Sequence, residues 1–105
     1  MSDPVGPVFA ALSDPTRRSV VETLVREGST SVPALTAALP ISRQAIAKHL
    51  ATLGDAGLVE RVPGGGREIR YRLRDGGLSP AAAWIRETET AWDDRLARLK
   101  ATVES

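Results

Sequence analysis

The chain has 105 residues, of which 42% are hydrophobic and 26% are charged, with 14 basic and 13 acidic side chains. This composition is that of one globular domain rather than a disordered chain, and no apolar run approaches the roughly 20 residues that span a bilayer. The chain contains no cysteine, which excludes disulfides and thiolate metal sites. Residues 1–7 lack the basic start of a secretory signal, so we expect a cytoplasmic protein without a membrane partner.

Positive charge is concentrated in the middle of the chain. Residues 42–74 carry seven basic and three acidic side chains, whereas the segments on either side are slightly acidic. A local excess of this kind attracts polyanions. Alone it is weak evidence, because clustered arginines more often form a solvated surface.

Two helices are predicted at the start of the chain. The first carries an apolar stripe of Val5, Val8, Phe9 and Leu12. Asp14 and Pro15 then supply the cap and first residue of a second helix, which ends at Gly28. Residues 29–31 are predicted to be a short connector.

A third and a fourth helix follow. The third carries Val32, Leu35 and Leu39 on one side and ends at Pro40. Ser42 caps the fourth, which runs to about Ala56. At 100° per residue, Ile46, Leu50 and Leu53 form a narrow apolar face opposite Gln44 and Lys48.

The periodicity then changes from helix to strand. Leu58–Pro63 and Glu68–Arg74 are predicted as the strands of a hairpin joined by three glycines. In the second strand Ile69, Tyr71 and Leu73 alternate with three arginines, which predicts one apolar and one basic face. Ser79-Pro80 opens a last helix that nearly reaches Ser105. The predicted fold class is mainly α with a small β-hairpin.

The third and fourth helices have the spacing of a helix-turn-helix, with Pro40-Ile41 between them. The fourth helix is small and polar on its outer side, as a helix that enters a DNA major groove must be. Arg43 and Gln44 lie near its start, where side chains contact bases in this motif. The glycine-rich hairpin and Arg67 add a second candidate contact with the sugar-phosphate backbone. Taken alone, the glycines are more often a flexible turn and the arginines a solvated sheet face.

His49 is the only histidine. Its position at the edge of the apolar face favours a hydrogen bond at the helix-packing boundary over a DNA contact, and a lone histidine does not make a metal site. Enzyme interpretations fail, because Ser42, His49 and Asp55 are too far apart on one helix to converge. The three glycines are not followed by the lysine and helix of a phosphate-binding loop.

A dimer is predicted from the last helix. Its apolar residues are spaced 7, 4, 3 and 4 apart, the repeat of a helix-packing seam: Ile85, Trp92, Leu96, Leu99 and Val103. The stripe on the first helix offers a second surface for pairing across a two-fold axis. The alternative is that the last helix folds back onto its own hairpin and buries the stripe internally.

With these residues identified, the chain resembles the ArsR/SmtB family of bacterial transcriptional regulators along nearly its whole length. The matching segments are FAALSDPTRRSVVETL (Phe9–Leu24), Val32–Leu39, ISRQAIAKHLATLGDAGLV (Ile41–Val59) and GREIRYRL (Gly66–Leu73). The tail, with AWI and WDDRLARL, is similar to a branch with a long C-terminal helix. The resemblance implies a winged helix-turn-helix homodimer that represses transcription from operator DNA.

The chain departs from the metal-sensing members of that family. Their Cys-Val-Cys segment is replaced by Ser31-Val32-Pro33, and the last helix lacks the histidine that zinc sensors use. We therefore expect no metal and no cofactor, and the sequence does not specify a small-molecule effector. The alternative function is a winged-helix module that binds protein instead of DNA.

The prediction is one domain over residues 1–105, which dimerises through about 5–13 and 79–103 and binds double-stranded DNA. The candidate DNA contacts are Ser42, Arg43, Gln44, Ala45, Lys48, His49, Arg67 and Arg70. The candidate dimer contacts are Val5, Phe9, Leu12, Ile85, Trp92, Leu96 and Leu99.

Overall fold

A computed structural model describes residues 3–104 of the chain, which form five helices and three strands in that range. In chain order these are α1 Gly6–Leu12, α2 Pro15–Glu27, β1 Ser29–Thr30, α3 Val32–Ala38, α4 Arg43–Asp55, β2 Val59–Pro63, β3 Ile69–Leu73 and α5 Ser79–Glu104. The predicted domain also includes residues 1, 2 and 105, which lie outside the described residues. The mainly helical winged helix-turn-helix class is confirmed.

The core is formed mostly by the apolar faces of the first four helices, and Leu58, Val59 and Ala81 complete it. On α4, Ile46, Leu50 and Leu53 recur at helical spacing and are at most 2% exposed. They pack in one cluster with Val20 and Leu24 of α2. Burying each leucine or isoleucine contributes about 1.5–3 kcal/mol. One face of α4 is therefore fixed to the core, and the opposite face is left to the solvent.

Three helices begin with a side-chain cap. The Asp14 carboxylate accepts hydrogen bonds from two backbone N–H groups at the start of α2. The hydroxyl oxygens of Ser31 and Ser42 cap α3 and α4 in the same way. Replacing such a cap with alanine typically costs about 1 kcal/mol. The predicted cap at Ser42 is confirmed, and it places Arg43 in the first turn of α4.

The sheet has three strands, so the prediction of a two-stranded wing was incomplete. β1 pairs antiparallel with β3, and the strand order is β1-β3-β2. Ser29 lies opposite Arg72 and Thr30 opposite Tyr71. The predicted connector at residues 29–31 is wrong, because its first two residues pair with the edge of β3. A strand of two residues is too short to show the alternation by which strands are identified.

β2 and β3 form the predicted hairpin, and Pro63 lies opposite Ile69 beside its tip. Tyr71 and Leu73 pack against the core, as the alternation predicts. Ile69 belongs to the same face but is 45% exposed. Ile69 lies beside the hairpin tip and does not pack against the core cluster.

The last helix begins against the core and then leaves it. Ala81 is buried, while every residue from Trp84 to Glu104 is exposed. At about 1.5 Å per residue the helix is roughly 39 Å long. The molecule measures 69 × 29 × 25 Å. The alternative in which this helix folds back and buries its apolar stripe is therefore wrong.

Candidate nucleic-acid interface

The outward face of α4 carries unpaired polar side chains. Arg43, Gln44 and Lys48 are exposed, and within residues 3–104 none of them forms a side-chain hydrogen bond or an ion pair. The core holds the helix by its other side, so these side chains extend away from the protein. Their polar groups are available to an external ligand.

Ser42 and Ala45 lie in the same turn of α4 with different roles. The Ser42 hydroxyl oxygen accepts a hydrogen bond from the Ala45 N–H at 3.1 Å. That oxygen caps the helix, while its proton remains able to donate to a phosphate or a base. Ala45 is half-buried and offers only a methyl group, which suits contact with a thymine methyl.

A cleft of about 260 Å³ lies between α4 and the sheet. Ala47 and Ala51 line its helical wall, and Arg61 and Tyr71 line its sheet wall. Arg61 is exposed and, in the described part of the chain, has no ion pair. Sequence reasoning missed Arg61 as a candidate contact. Its place in the basic segment was a signal, but only the packing of the sheet shows that Arg61 borders α4.

The hairpin tip is closed by backbone hydrogen bonds. The Gly64 N–H donates to the Glu68 carbonyl at 2.8 Å, and the Glu68 N–H donates to the Gly65 carbonyl at 3.1 Å. Gly66 has a φ of +60°, a left-handed conformation that glycine adopts at little cost. Arg67 follows, exposed and without an ion pair among the described residues. The turn therefore presents one free guanidinium at the tip of the wing.

Arg70 is already engaged inside the molecule. Its Nε donates to the Ser29 hydroxyl at 3.0 Å, and its Nη1 donates to Glu68 at 2.6 Å. Arg72 donates to Glu60 at 2.7 Å. The predicted arginine face is thus neutralised by glutamates at two positions. A DNA contact of Arg70 stays a prediction, and it would require that side chain to exchange its present partners.

His49 lies on a flank of α4, half-buried. Its Nδ1 is 3.3 Å from the Nη1 atom of Arg17 in α2. This is the helix-packing boundary where the sequence favoured a hydrogen bond. A DNA contact of His49 remains an untested prediction.

The predicted dimer residues fall into two groups. Those on α5 are between 45% and 66% exposed: Ile85, Trp92, Leu96 and Leu99. At the start and end of α1, Val5 (the residue before the helix) and Leu12 are half-buried, and Leu12 packs against the core of its own chain. Phe9 is 38% exposed and meets the ring of Trp84 edge to face, with centroids 5.6 Å apart. α5 therefore offers the larger free apolar surface.

The side chains that hold metals in proteins are dispersed in this structure. Within residues 3–104 no three His, Cys, Asp or Glu side chains are grouped closely enough to hold a metal ion. The Ser31 hydroxyl oxygen, at the start of the Ser31-Val32-Pro33 segment, caps α3. No helix in the same range is both long enough and apolar enough to cross a membrane.

Comparison with known proteins places this geometry in a family. A family model described as a helix-turn-helix domain matches residues 12–62. The transcriptional regulator Rv2034 of Mycobacterium tuberculosis is 42% identical over 71 residues, 68% of this chain and 64% of that protein. The chain thus spans slightly less than two thirds of that relative. The uncharacterized transcriptional regulator YuzN of Bacillus subtilis is 45% identical over 72 residues, 63% of this chain and 74% of that protein.

A solved structure agrees over nearly the whole chain. An ArsR-like transcriptional regulator from Rhodococcus superimposes with a TM-score of 0.86 at 46% sequence identity. The match covers 97% of this chain and 92% of that one, so it includes the wing and the last helix. All of these relatives are named as transcriptional regulators, a class without enzymatic activity. The chain belongs to the ArsR family of winged helix-turn-helix transcriptional regulators.

Proposed function

We propose that the chain is a sequence-specific DNA-binding repressor that acts as a homodimer on an inverted-repeat operator in the cytoplasm. The observation that carries the proposal is the outward face of α4. Arg43, Gln44 and Lys48 are exposed there without internal partners. Repression is the mode of regulation that the family resemblance implies.

The chemistry of this face suits base recognition. A major groove is about 12 Å wide, which admits an α-helix whose outer residues are small. Ala47 and Ala51 meet that condition, since both are exposed and neither extends beyond a methyl group. Arg43 can donate to O6 and N7 of guanine, and Gln44 can pair with N6 and N7 of adenine. These two side chains are the proposed base contacts.

The remaining cations suit the DNA backbone. Lys48 lies on α4 and Arg67 at the wing tip, both exposed. Arg61 lines the cleft between the two elements. Phosphate contacts of this kind position a protein on the duplex without carrying sequence information. We propose that Lys48, Arg61 and Arg67 contribute to the affinity for any DNA sequence. We propose that Arg43 and Gln44 at the start of α4 determine the sequence specificity.

The homodimer is supported by the apolar stripe of α5. Its residues are spaced as in a helix seam, and they project beyond the domain where the chain itself cannot cover them. A two-fold axis through such a seam would place two copies of α4 on the same side of the dimer. Two recognition helices about 34–36 Å apart contact successive major grooves on one face of DNA. The operator should therefore be an imperfect inverted repeat.

The test combines DNA binding with hydrodynamics. Fluorescence anisotropy should show that the protein binds a duplex from its own upstream region at least about 10³-fold more tightly than a scrambled duplex at the same salt concentration. Sedimentation at micromolar concentration should give a dimer. Equal affinity for both duplexes would contradict the proposal and would favour a protein-binding module. A stable monomer that protects the full inverted repeat would contradict the dimer alone.

A further inference from the structure

We propose that Arg17 is a positioning residue that holds the recognition helix α4, through His49, at a fixed angle to the α1 side of the domain. In the dimer this angle sets the operator spacing that the protein accepts. The inference rests on the proposed function. It gives Arg17 and His49 a role inside the protein that is separate from the proposed base contacts of Arg43 and Gln44.

One half of the Arg17 guanidinium is bound to α1. Its Nε donates to the Ala11 carbonyl at 2.6 Å, and its Nη2 donates to the Ala10 carbonyl at 3.2 Å. The last turn of a helix leaves carbonyl oxygens without partners inside the helix. A guanidinium is a rigid, planar group, so two bonds to one helix end fix its orientation.

The other half of the guanidinium faces α4. Its Nη1 lies 3.3 Å from Nδ1 of His49, and 3.8 Å from the carboxylate of Asp14 at the start of its own helix. A guanidinium can only donate hydrogen bonds. The contact is therefore a hydrogen bond in the neutral tautomer of His49 that carries its proton on Nε2 and leaves Nδ1 as the acceptor. The contact joins residues that are 32 positions apart in sequence.

This bond adds a second point of attachment on the flank of α4. The helix is held on its inner side by the close packing of Ile46, Leu50 and Leu53, and the contact with Arg17 lies outside that cluster. A hydrogen bond from a side chain that is only 18% exposed has a fixed direction. His49 directly follows Lys48, so a rotation of α4 that broke the contact would also turn the DNA-facing side chains.

The effect reaches the proposed dimer through α1. Phe9 of that helix contacts Trp84, at the point where α5 leaves the core. Arg17 therefore connects the helix that enters DNA to the layer that would pair with a second chain. A loosened connection should leave each half-site contact intact but should widen the range of half-site separations that the dimer tolerates.

The neighbouring arginine supplies a matched control. Arg18 donates to the Leu12 carbonyl at 2.6 Å, so it also binds the end of α1. It is exposed, and it has no hydrogen bond to α4 among the described residues. Arg17→Lys and Arg18→Lys both keep the positive charge and both lose the planar fork, but only the first disturbs His49.

The experiment measures affinity for four duplexes: the natural operator, operators with one base pair added or removed at the centre, and a single half-site. For the wild type we expect a clear preference for the natural spacing. Arg17→Lys should reduce that preference by about fivefold or more and should change half-site affinity by less than about twofold. Arg18→Lys should behave like the wild type. His49→Phe, which keeps an aromatic ring but lacks the acceptor, should lose the spacing preference as Arg17→Lys does, and the double variant should show no further loss of that preference. Because His49 is itself a candidate DNA contact, half-site affinity is compared only between the wild type, Arg17→Lys and Arg18→Lys.

Three outcomes would overturn the inference. Arg17→Lys and His49→Phe could both keep the full spacing preference. All duplexes could be weakened alike, which is the result of a merely structural role. Arg18→Lys could lose the spacing preference as strongly as Arg17→Lys. A wild type that binds no operator would instead contradict the proposed function, and circular dichroism of each variant identifies one that fails to fold.

Discussion

Arg72 of β3 and Glu60 of β2 lie directly opposite each other in the hairpin, and the arginine Nε donates to the carboxylate at 2.7 Å. The pair cancels one positive charge on the wing without burying it. We expect Glu60→Gln to strengthen binding to random-sequence DNA, because the charge of Arg72 is then unopposed. The slope of log affinity against log salt concentration should become steeper by about one.

Anisotropy titrations on one random duplex, between low and moderate salt, measure both quantities. Glu87→Gln on α5 is the control, since it removes the same charge from an exposed position far along the last helix. An unchanged salt slope for Glu60→Gln would show that the wing does not approach the phosphates.

The start of α4 and the wing are expected to respond differently to alanine. Arg43→Ala should cost about 1–3 kcal/mol at the natural operator and should relax the preference for one base pair. Lys48→Ala and Arg67→Ala should weaken all sequences alike, because phosphate contacts carry no sequence information. Arg98→Ala, a loss of the same charge on α5, should bind like the wild type. Wild-type binding by both Arg43→Ala and Arg67→Ala would refute the assigned interface.

Removing the apolar stripe of α5 should abolish pairing. The double variant Trp92→Glu with Leu96→Glu places four carboxylates in the proposed seam of each dimer, so it should sediment as a monomer and lose affinity for the full operator. Thr90→Glu with Ala97→Glu adds the same charge to the opposite side of the helix, where both residues are exposed. That control should remain dimeric, and a monomeric control would show that added charge alone disrupts pairing.

Metal ions should not regulate this protein. The chain has no cysteine and a single histidine, and within residues 3–104 no three His, Asp or Glu side chains are grouped closely enough to hold a metal ion. Zinc and softer metals usually take three or four protein ligands. Zinc, cadmium or arsenite should therefore leave operator affinity unchanged in titrations with and without a chelator. A metal ion present in stoichiometric amount in the purified protein, as measured by elemental analysis, would contradict this prediction.

Acid should remove the charged part of the cap at Asp14. Hydrogen bonds from the backbone N–H groups of Arg17 and Thr16, with the nearby positive charge of Arg17, hold the pKa of Asp14 below its ordinary value of 3.8. A carboxyl whose pKa is lower in the folded state stabilises the fold above about pH 4. That contribution is lost as the pH falls through the lower folded-state pKa.

Urea unfolding between pH 7 and pH 3 measures this loss. The stability difference between the wild type and Asp14→Asn should shrink towards low pH, because asparagine caps a helix without charge. The Ser31→Ala variant removes a cap that does not titrate. The difference in free energy of unfolding between this variant and the wild type should therefore stay nearly constant with pH. If the difference in free energy of unfolding between Asp14→Asn and the wild type were also constant with pH, the lowered pKa of Asp14 would be contradicted.

Local signals in the sequence were enough to predict most of the fold. The caps at Asp14 and Ser42, the stop at Gly28 and the apolar spacing on α4 each depend on neighbours within one or two turns. β1 was not predictable in this way, because its pairing is decided by an edge of β3 some forty residues later. The internal partners of Arg70 and Arg72 depend on strand register for the same reason. Arg17 was passed over because its contacts lie on α1 and α4, outside its own helix.

The projecting part of α5 has a consequence for the lifetime of the protein. Most helical stability in proteins comes from tertiary packing, which this segment lacks in an unpaired chain, so we expect it to open locally there. The exposed segment contains four sites for trypsin-like proteases, at Arg86, Arg95, Arg98 and Lys100. In the proposed dimer the same segment is held in a packed seam, where local opening is suppressed. Degradation would therefore fall first on chains that have not found a partner, which keeps the pool of unpaired protein small.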